Sequence, residues 1–454
     1  MPSFLIQTLG CKLNQLESEA ITGAFEKAGF KEAVRGFTQI NADEYSDSPS
    51  VIIINTCTVT SKADQKARRV IRKALRDYPD SNVIVTGCYA QLNRDDLEKL
   101  DDENPKRLSV IGKDEILRFI NKINPCKSAS IRGPIEFTPI EKSAKTSGQF
   151  EFNPQRFSEH TRSLLKIQDG CGNTCTYCKI RLARGSSISL ESDEVLSRLK
   201  ILEQNHAEAV LTGVNICQYS SNNGDTNINL TGLLEYLLSG TEKINLRLSS
   251  LTPDFIDKNL VNVLANKRIR PHFHLSIQSG SKKILERMGR SYDSKIIEKS
   301  ISLLRSVKDD PFLACDIITG FPGETETEFK ETYNMCKKLD FAWIHVFPYS
   351  KRPGTEAFLF TDTVHESEVT KRVQLFTDLA KQGRADYIRC WLGRDVDVLT
   401  EKPAKNSCCG VTENYLKVQI KCKDKIPLPG TVLRCKLTEA KNSEKIDALA
   451  EQSF

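Results

Sequence analysis

The stretch at 166–185 reads KIQDGCGNTCTYCKIRLARG and carries three cysteines, Cys171, Cys175 and Cys178, at CxxxCxxC spacing. It begins inside a candidate strand, LLKIQ (164–168). Three thiolates on one short loop can each ligate one iron of a 4Fe–4S cube and leave the fourth iron without a protein ligand. An open coordination position is what a catalytic metal requires. The competing zinc knuckle needs a fourth Cys or His close by, and the next histidine, His206, lies a helix away. The open iron suits S-adenosylmethionine, which can chelate it through its amino and carboxylate groups. Reductive cleavage of that molecule yields a 5′-deoxyadenosyl radical, chemistry the cofactor carries and the protein positions. Tyr177, just before the third cysteine, is suited to placing its backbone near the adenine.

Downstream of the triplet, strand and helix patterns alternate. Candidate strands are AVLTG (209–213), NLRLSS (245–250), FHLSIQ (273–278), FLACDIIT (312–319) and WIHVFPY (343–349), with helical stretches at 191–205, 281–287, 292–307 and 325–338. With LLKIQ these make six strand–helix units, which fit a partial or full (β/α) barrel. A helix at 365–388 follows. Upstream, SFLIQTL, VIIIN (51–55) and NVIVT (82–86) alternate with helical stretches at 15–29 and 62–77, the pattern of an open parallel α/β sheet covered on both faces. Residues 126–160, rich in Lys, Ser, Thr and Pro without periodicity, read as a linker. The last 65 residues or so lose helical periodicity, and VDVLTE, YLKVQIK and TVLRCKLTEA suggest a small β-barrel. The expected class is α/β, with segments 1–125, 126–160 (linker), 161–389 and 390–454.

The chain has 454 residues, 39% hydrophobic and 27% charged, enough for two to four cores. No apolar run is long enough to span a bilayer, and the start lacks a secretory signal, so a cytoplasmic protein is expected. A net charge of +6 favours a polyanionic partner without requiring one. In a reducing compartment the 15 cysteines cannot be a disulfide framework. Some should be ligands or reactive thiols; Cys126, Cys217, Cys315, Cys336, Cys390, Cys422 and Cys435 read as packing or incidental thiols, and the adjacent Cys408–Cys409 pair, poor geometry for one metal, as non-functional.

Cys11, Cys57 and Cys88 each follow a predicted strand of the first segment. If those strands are parallel, all three sit at carboxyl ends, where open α/β sheets place their ligands. The flanks TLGCKLNQ, INTCTVT and VTGCYAQ supply glycines and small hydroxyl residues that let backbone approach a bulky group. Buried structural thiols are the alternative for each cysteine alone, and three equivalent positions favour a second cluster.

The triplet resembles that of the radical S-adenosylmethionine superfamily, and its context is similar to the methylthiotransferase branch. LTGVNI (211–216), RLSSLTP (247–253), HLSIQSGS (274–281), MGRSY (288–292) and DIITGFPGET (316–325) carry the likeness, in order, on successive strands. The resemblance implies that Thr212 and Gly213 lie where the methionyl amino group binds, that Ser249 and Gln278 line the cofactor cleft, and that Ile318 to Gly320 flank the adenine. It also implies that Cys11, Cys57 and Cys88 hold an auxiliary 4Fe–4S cluster involved in sulfur donation. GCKLNQ and GVTENYLKV resemble the bacterial branch acting on N6-threonylcarbamoyladenosine in tRNA. The implied reaction is methylthiolation of adenine carbon 2 next to the anticodon, with an electron donor such as a flavodoxin or ferredoxin and a monomeric enzyme. Isopentenyladenosine in tRNA, a ribosomal protein residue, or a non-catalytic iron–sulfur RNA-binding role are the alternatives. One departure stands out: KIRLARG, with Lys179 and Arg181, replaces a hydrophobic pair and proline after the third cysteine.

Two basic surfaces fit either an RNA partner or plain solvated charge, and the tail equally a generic barrel. In SKADQKARRVIRKALR (61–76), Ala63, Ala67, Val70, Ile71 and Ala74 form an apolar face, while Lys62, Lys66 and Arg69 are among the cations on the rest. The tail places Lys417, Lys421, Lys423, Lys425, Arg434 and Lys436 along predicted strands. Residues 390–454 resemble a TRAM domain, an RNA-binding barrel.

Overall fold

VIIIN and NVIVT are apolar on nearly every side chain because both of their faces are covered. In the computed structural model, β3 (Val51–Thr56) and β4 (Asn82–Gly87) are buried along their whole length. They form a parallel sheet with β1 (Ser3–Thr8), β2 (Lys31–Glu32) and β5 (Leu108–Val110), in the order β2-β1-β3-β4-β5. Helix α1 (Lys12–Lys27) follows β1, and α2 (Ser61–Asp77) follows β3. Thr60 caps α2 by accepting the Ala63 amide at 3.1 Å, satisfying one of the four free donors of the first turn. The helix buries Ala67, Ile71, Ala74 and Leu75, close to the predicted apolar stripe. The structure describes residues 1–33, 48–101, 107–122, 149–154, 162–223, 226–401, 408–421, 426–441, 443 and 445–453. Most of the expected linker, with Cys126, and Cys422, Lys423 and Lys425 lie outside them.

The described chain divides into two compact units. One comprises residues 1–156, 169–172 and 178–186; the other comprises 157–168, 173–177 and 187–454. The second unit holds β6 (Ser163–Lys166), the short β7 (Gln168–Asp169, through Gln168) and β8 (Ile188–Ser189), β9 (Glu208–Thr212), the antiparallel pair β10 (Ser220–Asn223) and β11 (Thr226–Asn229), and β12 (Asn245–Leu248). After these come β13 (His272–Gln278), β14 (Phe312–Thr319) and β15 (Trp343–Pro348). Two parallel sheets, β12-β9-β6 and β13-β14-β15, adjoin through bridges Leu246–Ile269 and Leu251–Leu275. The six strands thus run in chain order as an arc, and the partial form of the expected (β/α) barrel is the one found. The strand expected at 164–168 breaks at Ile167, and that expected at 245–250 ends at Leu248.

Along β13, Phe273, Leu275 and Ile277 are buried while His274 and Ser276 are partly open; along β14, Cys315 and Ile317 alternate with Asp316 and Ile318 in the same way. One face of the arc is therefore sealed by apolar packing and the other is polar and accessible. After the helix Glu366–Trp391, β16 (Asp395–Thr400), β17 (Cys408–Thr412), β18 (Lys417–Lys421), β19 (Val432–Ala440) and β20 (Ala448–Gln452) close into a barrel in the order β16-β17-β18-β20-β19. Its core is continuous with the arc: Phe312, Ala314, Tyr387 and Trp391 share one apolar cluster with Val396, Val398, Val418 and Leu437.

Candidate active site

Because β1, β3 and β4 are parallel neighbours, their carboxyl ends lie side by side, and they deliver Cys11, Cys57 and Cys88. Cys11 is exposed, whereas Cys57 and Cys88 are buried. The chain turns sharply at each approach. Gly10 has φ +125°, and a Cβ there would stand 2.7 Å from the Cys57 Cβ; Gly87 has φ +95°, with the same added atom 2.4 Å from the Thr56 carbonyl oxygen. Only glycine fits either place. Asn14 Nδ2 donates to Asn55 Oδ1 (3.0 Å) and to the Thr56 carbonyl (3.1 Å), and Asn55 Nδ2 donates back to the Asn14 carbonyl (2.9 Å). Cys11 Sγ donates to Asn14 Oδ1 at 3.3 Å. Burial pushes the Cys57 thiol up to about 12, with the neighbouring Cys11 and Cys88 adding to the rise. Burial also raises Cys88, against the pull of Arg184.

Among the described residues, no three His, Cys, Asp or Glu side chains gather as ligands of a single ion. A four-iron cube presents a different iron to each thiolate, so its ligands need not meet at one point. Three soft sulfur donors on adjacent strand ends, brought close by Gly10 and Gly87, fit such a cube. Every described cysteine is free of disulfides.

The triplet loop is anchored at Cys171 and at Thr176. The Cys171 amide donates to the Gly185 carbonyl at 3.1 Å, and a Cβ at Gly170 would stand 2.0 Å from the Ser186 carbonyl oxygen. Thr176 donates its amide to Met288 (3.1 Å) and its hydroxyl to Arg287 (2.8 Å), while its own carbonyl accepts from Ala357 (2.8 Å). Cys171, Cys175 and Cys178 are each half-buried, and three thiolates at this spacing suit a cube with one open iron. KIRLARG forms a short helix, Ile180–Arg184, with Arg181 exposed and Arg184 buried. Tyr177 and Ile318 pack with Ile284, Met288, Phe321 and Ala357, an apolar cluster suited to a flat ring. The Tyr177 hydroxyl accepts from Arg290 Nη2 at 2.8 Å.

The remaining expected cofactor residues stand at the ends of β9, β12, β13 and β14. Thr212 is buried and its carbonyl accepts the Ile167 amide at 3.0 Å; the Ser249 amide donates to Leu211 at 3.0 Å. A Cβ at Gly213 would stand 2.8 Å from Gln168 Oε1. Gln278 has φ +69°, unusual for a side-chain-bearing residue, where the β13–β14 register shifts. Gly320 has φ +78° and donates its amide to Glu324 Oε2 at 2.6 Å.

Of the basic residues, Lys62, Lys66, Arg69 and Lys417 are exposed. Arg68 instead hydrogen-bonds the Tyr89 hydroxyl, and Arg434 pairs with Asp397 at 3.0 Å. Sequence reading did not single out Arg184, Glu17, Asp169, Arg290, or the chain Ser250–His274–Asp316 on the open face. There Ser250 Oγ lies 2.6 Å from His274 Nδ1, and His274 Nε2 lies 3.1 Å from Asp316 Oδ1. All of these but Glu17 stood inside quoted motifs, but nothing local marks a residue as buried or partnered.

A CxxxCxxC segment that follows, in the chain, the first strand of a six-stranded parallel arc defines a radical S-adenosylmethionine protein, and the family model described as "Radical SAM superfamily" matches residues 165–336. The model described as "Uncharacterized protein family UPF0004" matches residues 3–109. The chain is 39% identical to the threonylcarbamoyladenosine tRNA methylthiotransferase MtaB of Treponema pallidum, over 92% of this chain and 95% of that one. It is 35% identical to the Bacillus subtilis protein of the same name, over 97% and 94%. Identity to the tRNA-2-methylthio-N(6)-dimethylallyladenosine synthase of Bacillus velezensis is 28%, over 96% and 84%. The fold is also that of the radical S-adenosylmethionine methyltransferase TsrM of Kitasatospora setae, with a TM-score of 0.52, 15% identity and coverage of 79% and 74%. The chain belongs to the threonylcarbamoyladenosine tRNA methylthiotransferase family.

Proposed function

We propose that this chain adds a methylthio group to carbon 2 of N6-threonylcarbamoyladenosine beside the tRNA anticodon. The observation that carries the reading is near-full-length similarity to relatives of that name, together with the half-buried CxxxCxxC loop. Carbon 2 of adenine is neither acidic nor nucleophilic, so acid–base chemistry offers little and a radical route is required. A 4Fe–4S cluster held by Cys171, Cys175 and Cys178 would supply the electron that cleaves S-adenosylmethionine, one held by Cys11, Cys57 and Cys88 would take part in sulfur donation, and a second S-adenosylmethionine would supply the methyl group.

The chain's own residues bind and orient. Tyr177 and Ile318 provide apolar surface for the adenine of the cofactor, and Arg290 fixes the Tyr177 ring through its hydroxyl. Thr212, Gly213, Ser249, Gln278 and Gly320 bring backbone and small polar groups to the strand ends facing it. Lys62, Lys66, Arg69 and Lys417 offer positive charge to the RNA backbone. Residues 1–125 act as the sulfur-donating segment, 161–389 as the radical core and 390–454 as an RNA-binding barrel, joined by the 126–160 linker. The protein works as a cytoplasmic monomer fed by a flavodoxin or ferredoxin.

The test is nucleoside mass spectrometry of tRNA from cells lacking the gene, complemented by wild type, Cys175→Ala or Cys57→Ala. The 2-methylthio form of N6-threonylcarbamoyladenosine should vanish and return only with wild type. In the purified protein Cys175→Ala should abolish 5′-deoxyadenosine formation, while Cys57→Ala should retain uncoupled cleavage. Loss of the methylthio group from dimethylallyladenosine instead would reassign the substrate, and normal thiolation by Cys57→Ala would remove the auxiliary-cluster assignment.

A further inference from the structure

Arg184 is the last residue of the short helix that begins after the triplet, and its side chain is almost fully buried. A buried guanidinium is costly unless it is paired and hydrogen-bonded, and here each of its three nitrogens has an acceptor. Nη1 and Nη2 fork onto the two oxygens of Glu17 at 2.8 and 3.2 Å. Nη1 also reaches both oxygens of Asp169 at 3.2 Å. Nε donates to Cys88 Sγ at 3.1 Å. Lys113, 3% exposed, stands 3.6 Å from Asp169 Oδ2 and 3.1 Å from Asp114 Oδ1, a second cation beside the network. Glu17, Cys88, Lys113, Asp169 and Arg184 all belong to the same compact unit.

We infer that Arg184 is a positioning residue for the auxiliary cluster: its N–H···S bond to Cys88 orients that ligand and raises the cluster's reduction potential. Reduction adds negative charge, and a fixed cation with a donor on the ligating sulfur stabilises the reduced form; hydrogen bonds to cluster sulfurs are a recognised determinant of potential. The same arginine also steadies the start of the triplet loop. Asp169, which it grips, accepts the Gly170 amide at 2.7 Å, and Cys171 follows directly. Lysine cannot replace this pattern, since a point charge on a flexible stem cannot donate to two carboxylates and a sulfur in one plane. The inference rests on Cys11, Cys57 and Cys88 holding a cluster, as proposed above.

The experiment uses the full chain with Cys171, Cys175 and Cys178 all changed to Ala, reconstituted anaerobically with iron and sulfide. Iron content, thermal unfolding before reconstitution, and the midpoint potential from an electron paramagnetic resonance titration are then measured. Adding Arg184→Lys should leave a cluster whose potential is more negative. Adding Glu17→Gln, which removes a negative charge from the network, should move it more positive. Opposite shifts are not what loosened packing would give. A parent that binds no iron overturns the auxiliary-cluster reading itself. A parent that binds iron but shows the same potential with Arg184→Lys overturns the role of Arg184. If Arg184→Lys fails to fold or load, Glu17→Gln decides, and an unchanged potential there overturns the proposal.

Discussion

At the level of single residues, buried charge is where this protein is most exposed to substitution. Glu208, at the start of β9, accepts Arg247 Nε at 2.7 Å and Arg270 Nε at 2.9 Å, and all three are buried. Burial works against its charge, but Arg247 first and Arg270 after it outweigh that and hold the carboxyl at about 2, below its ordinary 4.5. Because the folded value is depressed, the stabilisation is present above pH 4.5 and is lost as pH falls toward 2. Glu208→Gln leaves two arginines without their partner and should cost on the order of 3 kcal/mol at neutral pH. Thermal unfolding of both proteins from pH 7 downward should show the gap closing below 4.5; a constant gap would mean that the carboxylate is not the source. None of this was legible in the sequence. Glu208 lies just before AVLTG, and a charged residue beside an apolar run reads as a strand edge.

At the level of elements, the two expected basic surfaces turn out unlike. On α2, Lys62, Lys66 and Arg69 are exposed, whereas on the terminal barrel Arg434 is engaged by Asp397 at 3.0 Å and Lys421 by Glu451 at 3.2 Å. A cation already paired releases fewer counterions when phosphate replaces its partner. Changing Lys62, Lys66 and Arg69 together to Glu should weaken tRNA binding at least tenfold at low salt, an order-of-magnitude expectation, and flatten its salt dependence. Arg434→Ala should change it by about threefold or less. Fluorescence anisotropy with labelled tRNA across a salt series checks both, and equal effects would reverse the ranking. The apolar stripe of α2 was readable because helical period alone produces it. Which cations stay free was not, since Asp397 and Arg434 lie 37 positions apart in the chain.

At the level of the molecule, the terminal barrel is not an appendage. Its interior residues Val396, Val398 and Val418 belong to one apolar cluster with Phe312 and Ala314 of the arc and with Tyr387 and Trp391 of the preceding helix. Arg247 also reaches across to donate to the Glu413 carbonyl at 3.1 Å. Ending the chain at residue 391 should therefore expose a core face and lower the unfolding temperature or cause aggregation, beyond any loss of tRNA affinity. A soluble truncated chain with an unchanged unfolding profile by scanning calorimetry would show the barrel to be independent.

The order of elements, the CxxxCxxC loop after a strand and the three strand-end cysteines are all legible in the amino acids alone. Those features are local: hydrophobic period, turn residues and spacing carry them, and parallel strands convert equal sequence position into spatial proximity. The packed fold adds that the six-stranded arc stays open, that Arg184 bonds Cys88 across 96 positions, and that Glu208 serves two arginines. These depend on which side chains lose water together, and burial of a charge or thiol is a property of the packed neighbours rather than of the residue.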